Sequence, residues 1–249
     1  MAEGAAPLVF VAAAFLFAGF IKGTLGIGLP TVVMGLLSIV MPPAQAAALM
    51  VVPAIATNLW QMLAGPSFWA LARRYATMIA GVFVGVFLTI GLMTRAAAGA
   101  QAALGLVLAA YGAYGLFARR FQVKRETERY LSPVVGLTTG LLLGATGIFV
   151  VPTAPYLTSL ELDKEELLQS IGIMAFVCPL ALGLALALHG SYAAGFAGGS
   201  VLALFPALAG MWIGQRVRRG LAAATFMRVF FAGLVALGGY MFLRATGVL

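Results

Sequence analysis

The chain has 249 residues, of which 63% are hydrophobic and 9% charged, with a formal net charge of +8 and a mean hydropathy of +1.06. That leaves too little polar surface for a soluble domain of this length, so the composition describes an all-α polytopic membrane protein. At about 20 apolar residues per crossing, there is room for roughly eight spans and no sizeable extramembrane domain.

The basic residues lie in short loops beside apolar runs, where they act as topology determinants and not as a nucleic-acid surface. The start, Met1-Ala-Glu-Gly, lacks the basic region of a secretory signal peptide, and the first apolar run is expected to be retained. A lone Cys178 sits inside an apolar run and cannot form an intrachain disulfide.

In chain order, residues 6–21 are apolar and run into Gly19-Phe-Ile-Lys-Gly-Thr-Leu-Gly-Ile-Gly-Leu-Pro30, after which a second helical piece is predicted to about Met41. Each piece is read as short for a full crossing. A span follows from 44 to 63, with Pro53 as a kink and Thr57, Asn58 and Gln61 on its later part. Gly65-Pro66 and Arg73-Arg74 make a basic loop; clean spans near 75–93 and 98–117 come next, the first carrying a Gly81-x-x-x-Gly85 packing face. Residues 118–130 form the longest polar stretch and are read as a basic linker between a first transmembrane repeat, 1–117, and a second, 131–249.

The second half repeats the order. A broken apolar segment at 132–160, containing Gly136-Leu-Thr-Thr-Gly-Leu-Leu-Leu-Gly-Ala-Thr-Gly147 followed by Pro152 and Pro155, leads to the acidic turn 161–166. Spans then fall near 167–188 with Pro179, 195–214 and 223–243, with the loop 215–220 before the last. Four helical elements per half match in type and order.

Charge orients the halves. If each broken segment crossed once, the arginines at 216–219 would lie opposite those at 73–74 and 118–130. If each enters and returns, as re-entrant half-helices or as two crossings, Arg73, Arg74, Arg119, Arg120, Lys124, Arg125, Arg129, Lys164, Arg216, Arg218 and Arg219 share one side, leaving Arg95 and Arg244 opposite. The positive-inside rule selects the second arrangement. It implies two inverted-topology repeats, both termini outside and the linker in the cytoplasm.

Paired Gly/Pro breaks in the two halves of a membrane protein point to a transporter's binding site, because unpaired backbone in lipid is tolerated only beside protein or a wet cavity. Close helix packing is the competing explanation of the same glycines. Lys22 is the one charge deep in an apolar segment, and all seven acidic residues lie in the N-terminal tail, the linker or the 161–166 turn. An anionic substrate would supply the missing charge, whereas snorkelling to the interface would leave Lys22 without that role.

Half-helix N-termini add partial positive charge. Gly26, Gly28 and Thr31 on one side and Thr146, Gly147 and Thr153 on the other can bring donors close. Thr57, Asn58 and Gln61, with Gln169, Ser170 and Cys178 from the counterpart span, can add side-chain polarity. Trp60 and Trp69 read as interface anchors or pocket wall, and His189 as an interfacial residue at an outer span end. Without an Asp or Glu in a span, a proton-coupled mechanism lacks the usual carboxylate relay unless Lys22 titrates or the substrate carries its own proton. No metal cluster, nucleotide loop or hydrolytic triad is legible, so neither a cofactor nor an enzymatic activity is expected.

The segments Gly23-Thr-Leu-Gly-Ile-Gly-Leu-Pro30 and Gly140-Leu-Leu-Leu-Gly-Ala-Thr-Gly-Ile-Phe-Val-Val-Pro152, the chain length and the central basic linker resemble the TauE/SafE family of sulfite and organosulfonate exporters. The resemblance implies export of a small sulfur-containing anion, sulfite or a sulfonate, from the cytoplasm across a bacterial inner membrane. The residues alone leave three functions open: an exporter working by alternating access, an anion channel or uptake permease, and a non-transport assembly component. Oligomeric state is not legible.

Overall fold

A computed structural model describes residues 2–63, 65–95, 97–117, 122–190, 194–218 and 223–248. Arg119 and Arg120 of the predicted linker, Ser191 and Tyr192 after His189, and Arg219 and Gly220 of the last loop lie outside the described residues. Among those described, the secondary structure is helical, in eleven elements: α1 (Ala2–Leu25), α2 (Leu29–Leu37), α3 (Pro43–Leu63), α4 (Phe68–Arg74), α5 (Ala76–Arg95), α6 (Ala97–Phe117), α7 (Arg125–Thr146), α8 (Val150–Ser159), α9 (Lys164–Leu188), α10 (Ala194–Val217) and α11 (Ala223–Ala245). Seven are long and apolar enough to span a bilayer. The 22-residue α7 matches them in length but opens on Arg125, Glu126, Glu128 and Arg129.

Three boundaries differ from the sequence expectation. The first helix continues through Lys22 to Leu25, 24 residues in all, long enough at 1.5 Å per residue for a full crossing and not the short piece expected. Residues 125–130, expected to be linker, form the first turns of α7. The basic loop before α5 contains a helix, α4, which turns Leu71 into the core while Trp69 stays outside.

Helix directions follow from which residues meet. In α3 and α9 the numbering runs oppositely: Gln61 Nε2 donates to the Leu168 carbonyl at 3.2 Å and Asn58 Nδ2 to the Ala175 carbonyl at 2.9 Å. On α6 and α11, Gly105 meets Gly238 and Phe242 while Gly112 meets Phe231, again antiparallel. By contrast α1 and α10 are parallel, Gly19 lying on Ala207 and Gly23 on Met211. So are α5 and α7, where Gly136, Gly140 and Gly144 meet Met78, Val82 and Val86. The strongest helix pairs thus join one half of the chain to the other, and exchange α10 and α5 between them.

Glycine serves two purposes here. At Gly19, Gly23, Gly136, Gly140, Gly210 and Gly214 an added Cβ would strike a backbone carbonyl of the facing helix, so the Gly-x-x-x-Gly openings are close-packing surfaces. The breaks themselves rest on Gly26 (φ 81) and Gly147 (φ 77), both left-handed, a region only glycine enters without steric cost. Each donates its N–H to the carbonyl four residues back, Gly26 to Lys22 at 2.7 Å and Gly147 to Leu143 at 2.8 Å, the left-handed helix end that satisfies an orphan carbonyl.

After its break, α8 returns along α7: the Thr139 and Thr153 hydroxyls pair at 2.8 Å, those of Ser132 and Tyr156 at 2.7 Å, and Val123 N–H donates to Ser159 O at 2.9 Å. Similarly α2 packs against α1, and nearly all of its residues are buried. At the end where α3 and α10 finish and α9 begins, Gln169 Nε2 caps α3 by donating to the Met62 and Gly65 carbonyls at 3.0 and 2.7 Å. There Arg74 Nε and an η nitrogen donate to the two Glu128 oxygens, each at 2.6 Å, and this pairing holds the guanidinium above its ordinary pKa. Large apolar side chains such as Leu88, Leu202, Phe205 and Val229 point outward, as a lipid-facing surface requires.

Candidate functional site: a buried lysine between two cavities

Two prolines inside helices build the polar centre. Pro53 has no N–H for the Leu49 carbonyl, which accepts instead from the Ser200 hydroxyl of α10 at 2.8 Å. Pro179 likewise frees the Ala175 carbonyl of α9, and Asn58 of α3 donates to it. With a second bond to Ala54 O at 2.7 Å, the Asn58 amide nitrogen is fully used. Its carbonyl oxygen is therefore turned toward α1, where it accepts from Lys22 Nζ. The Thr57 hydroxyl donates to Pro53 O at 2.7 Å and accepts from Lys22 Nζ at 3.0 Å.

Lys22 is 6% exposed, and no carboxylate stands within ion-pairing distance of it among the described residues. A lysine held only by neutral acceptors at this depth has no protein counter-charge for its protonated form, which an anion would supply. It stands where two cavities meet. A vestibule of about 610 Å³ is lined by Lys22, Thr57, Gln61, Gln169, Glu165 and Arg218, among others. These last two lie at the start of α9 and the end of α10, so the vestibule opens at the end of the molecule that carries the basic loops. Inward of Lys22 is a chamber of about 30 Å³ between the start of α2 (Gly28, Pro30) and the start of α8 (Phe149, Val150), with Asn58 and Thr153 on its wall. That is room for about one water.

The chamber lies where the sequence expected the two half-helices to meet. Neither α2 nor α8 has a side-chain cap, so first-turn N–H groups lack intrahelical partners, although Pro30 and Pro152 remove one donor from each end. Lys22, Gly26, Gly28, Asn58 and Thr153 line the chamber, and Lys22, Gly26, Thr57, Gln61 and Gln169 line the vestibule. The remaining candidates line neither. Thr31 is fully buried with its hydroxyl unpartnered. Thr146 donates to Leu142 O at 2.7 Å and accepts from Ile148 N at 3.3 Å, and Gly147 forms the break. Ser170 pairs with Tyr75 at 3.2 Å, and Cys178 is fully buried inside α9. Trp60 lines the vestibule while remaining 80% exposed, and His189 ends α9 at the opposite end of the molecule.

Residues not singled out from sequence also line these spaces: Gly23, Met211, Gln215 and Arg218 in the vestibule, Phe149 and Ala175 in the chamber. The in-helix prolines were the available signal for Ala175.

The sequence matches the family described as sulfite exporter TauE/SafE over residues 11–241. No curated protein and no solved structure matches the chain. A match over nearly the whole chain, on an all-helical polytopic fold with a buried lysine beside its first helix break, places this protein in the sulfite exporter TauE/SafE family of membrane transporters.

Proposed function

We propose that the protein is a secondary transporter that exports a small sulfur-containing anion, sulfite or an organosulfonate, from the cytoplasm across a bacterial inner membrane, with Lys22 as the anion's anchor. The observation that carries this is the Lys22 ammonium: buried, held by neutral acceptors alone, and reached from one end through the vestibule. Gly26, Gly28, Thr57, Asn58, Gln61, Thr153 and Gln169 complete the walls around the anion. Basic loops at the vestibule's mouth support a cytoplasmic opening and both termini outside.

Two inverted repeats, 1–117 and 131–249, fit the helix directions, since α1 and α7 run oppositely and each is followed by a returning half-helix. Alternating access fits a vestibule that ends at a chamber of one water's size, behind which α2 is packed solid. An open pore would continue.

The test is thermal stabilisation of the purified protein by sulfite, sulfoacetate, taurine, thiosulfate and sulfate. A ligand at 100 times its Kd adds about 2.7 kcal/mol to the folded state. At least one sulfur anion is expected to stabilise the wild type and to lose that effect in Lys22→Met. Equal stabilisation of Lys22→Met rejects Lys22 as the anchor. In vesicles, substrate-driven counterflow is expected of a carrier, and its absence alongside anion flux rejects alternating access.

A further inference from the structure

We propose that Lys22 also carries the coupling ion: its amine takes up one proton with each anion and gives up both together, making the protein a proton–anion symporter without a membrane carboxylate. This rests on Lys22 being the anion's anchor. The observation behind it is the polarity of the two groups that hold Nζ.

The Thr57 hydroxyl has one hydrogen, committed to Pro53 O at 2.7 Å, so toward Lys22 it only accepts. Both hydrogens of the Asn58 amide are committed to the Ala54 and Ala175 carbonyls at 2.7 and 2.9 Å, so its oxygen also only accepts. Nζ therefore directs two N–H groups at fixed acceptors whatever its protonation state. In the ammonium, the third N–H is left for an anion. In the neutral amine, both acceptors stay satisfied and a lone pair takes the third position. The cage holds either form without rearrangement, and the two differ only in what that third position presents.

Among the described residues, the surroundings supply no other compensating charge. The two cavities that meet at Lys22 are lined by Thr57, Asn58 and Gln61 of α3, Thr153 of α8, Gln169 and Glu165 of α9, Gln215 of α10 with Arg218 just after it, and Pro30 of α2 with Gly28 just before it. Of these, only Glu165 and Arg218 are charged, and they stand in the wide vestibule. In a closed, dry form, Lys22 is electrically balanced in two states: ammonium with a bound monoanion, and empty amine. An empty ammonium, or an anion beside the amine, leaves an uncompensated charge out of water and is disfavoured. Hence the cycle carries one proton per monoanion. On loading, Nζ gains H⁺ from vestibule water; on unloading, that N–H bond breaks and H⁺ returns to water as the anion leaves, with no other bond made or broken.

The test uses the full chain in proteoliposomes with a trapped pH dye and methanesulfonate, an anion that does not titrate near neutrality. An inward methanesulfonate gradient is expected to acidify the lumen in a one-to-one ratio to anion uptake, with no dependence on membrane potential. In Lys22→Arg, whose guanidinium keeps its proton, net proton-driven uptake is expected to fall at least tenfold further than methanesulfonate exchange does. Wild-type uptake without lumenal acidification overturns the proposal, as does net uptake by Lys22→Arg at the wild-type rate. If the arginine variant fails to fold, the wild-type stoichiometry still decides. Failure of the anchor reading looks different: Lys22→Met would bind and exchange methanesulfonate as the wild type does.

Discussion

Asn58→Asp is the sharpest perturbation of the site, because it changes charge without changing shape. The new carboxylate would still accept from Lys22 Nζ, but would neutralise the ammonium from the side opposite the anion. An anion on the third N–H would sit roughly 4 Å from it, where two like charges repel by about 4 kcal/mol at the effective dielectric of a protein interior and about 1 kcal/mol in water. Asn58 is 2% exposed, so the larger figure applies, and affinity is expected to fall by about three orders of magnitude. Folding should suffer less. Two hydrogen bonds to the Ala54 and Ala175 carbonyls are lost, at about 1 kcal/mol each, and the new ion pair with Lys22 offsets part of that. Sulfite and methanesulfonate titrations by calorimetry, beside a thermal melt without ligand, separate the two effects. Affinity within threefold of wild type, in a variant that still melts cooperatively, would falsify the placement of the anion at Lys22.

Pro179→Ala restores an N–H for the Ala175 carbonyl within α9, and so competes with Asn58 for it. The variant is expected to melt at or above the wild-type temperature while counterflow slows severalfold; unchanged counterflow would mean that Asn58 is held without the freed carbonyl. Arg74→Ala leaves the Glu128 carboxylate, 7% exposed, without its charged partner and should cost about 1.5–3 kcal/mol with anion affinity unchanged. The hydrogen-bonded pairing with Glu128 raises the Arg74 pKa above its ordinary value. Its contribution is fully present below that value and lost only as pH rises through the folded-state pKa, so the melting difference should be flat from pH 6 to 9. A difference that varies over that window would assign the effect to another group.

The architecture was legible where one physical constraint acts alone. Apolar length placed the long helices, and the sidedness of arginine required each broken segment to return, as α8 does along α7. Boundaries were less legible. Gly19 and Gly23 looked like part of the break, yet a packing glycine and a hinge glycine are the same letter, and only the facing Ala207 and Met211 on α10 tell them apart. That ambiguity hid four helical residues, Lys22 to Leu25. Lys22 stands out in the sequence because an unpaired charge in an apolar run is costly wherever it lies. Its partners are legible only as members of a polar set, because contact between residues 22, 58 and 175 depends on how α1, α3 and α9 converge. Arg218 reads as a topology signal, and nothing in the string says that the end of α10 also forms a vestibule wall.

Lys22 has no charged counterpart at the second break, and that asymmetry bears on mechanism. Counted back from the left-handed glycine of each break, Leu143 holds the place in α7 that Lys22 holds in α1, and it is fully buried. A second lysine there would put another ammonium at membrane depth, with Thr139 and Thr153 already paired to each other and no Asn58 to receive it. The second half contributes instead through its backbone: the Ala175 carbonyl freed by Pro179 fixes which end of the Asn58 amide meets Lys22. One half thus brings the charge and the other sets the polarity of its cage, so any motion that parts α3 from α9 alters the grip on the amine. For the proposed transporter, a single shared amide would then couple anion binding to helix movement, without a relay of ionisable groups.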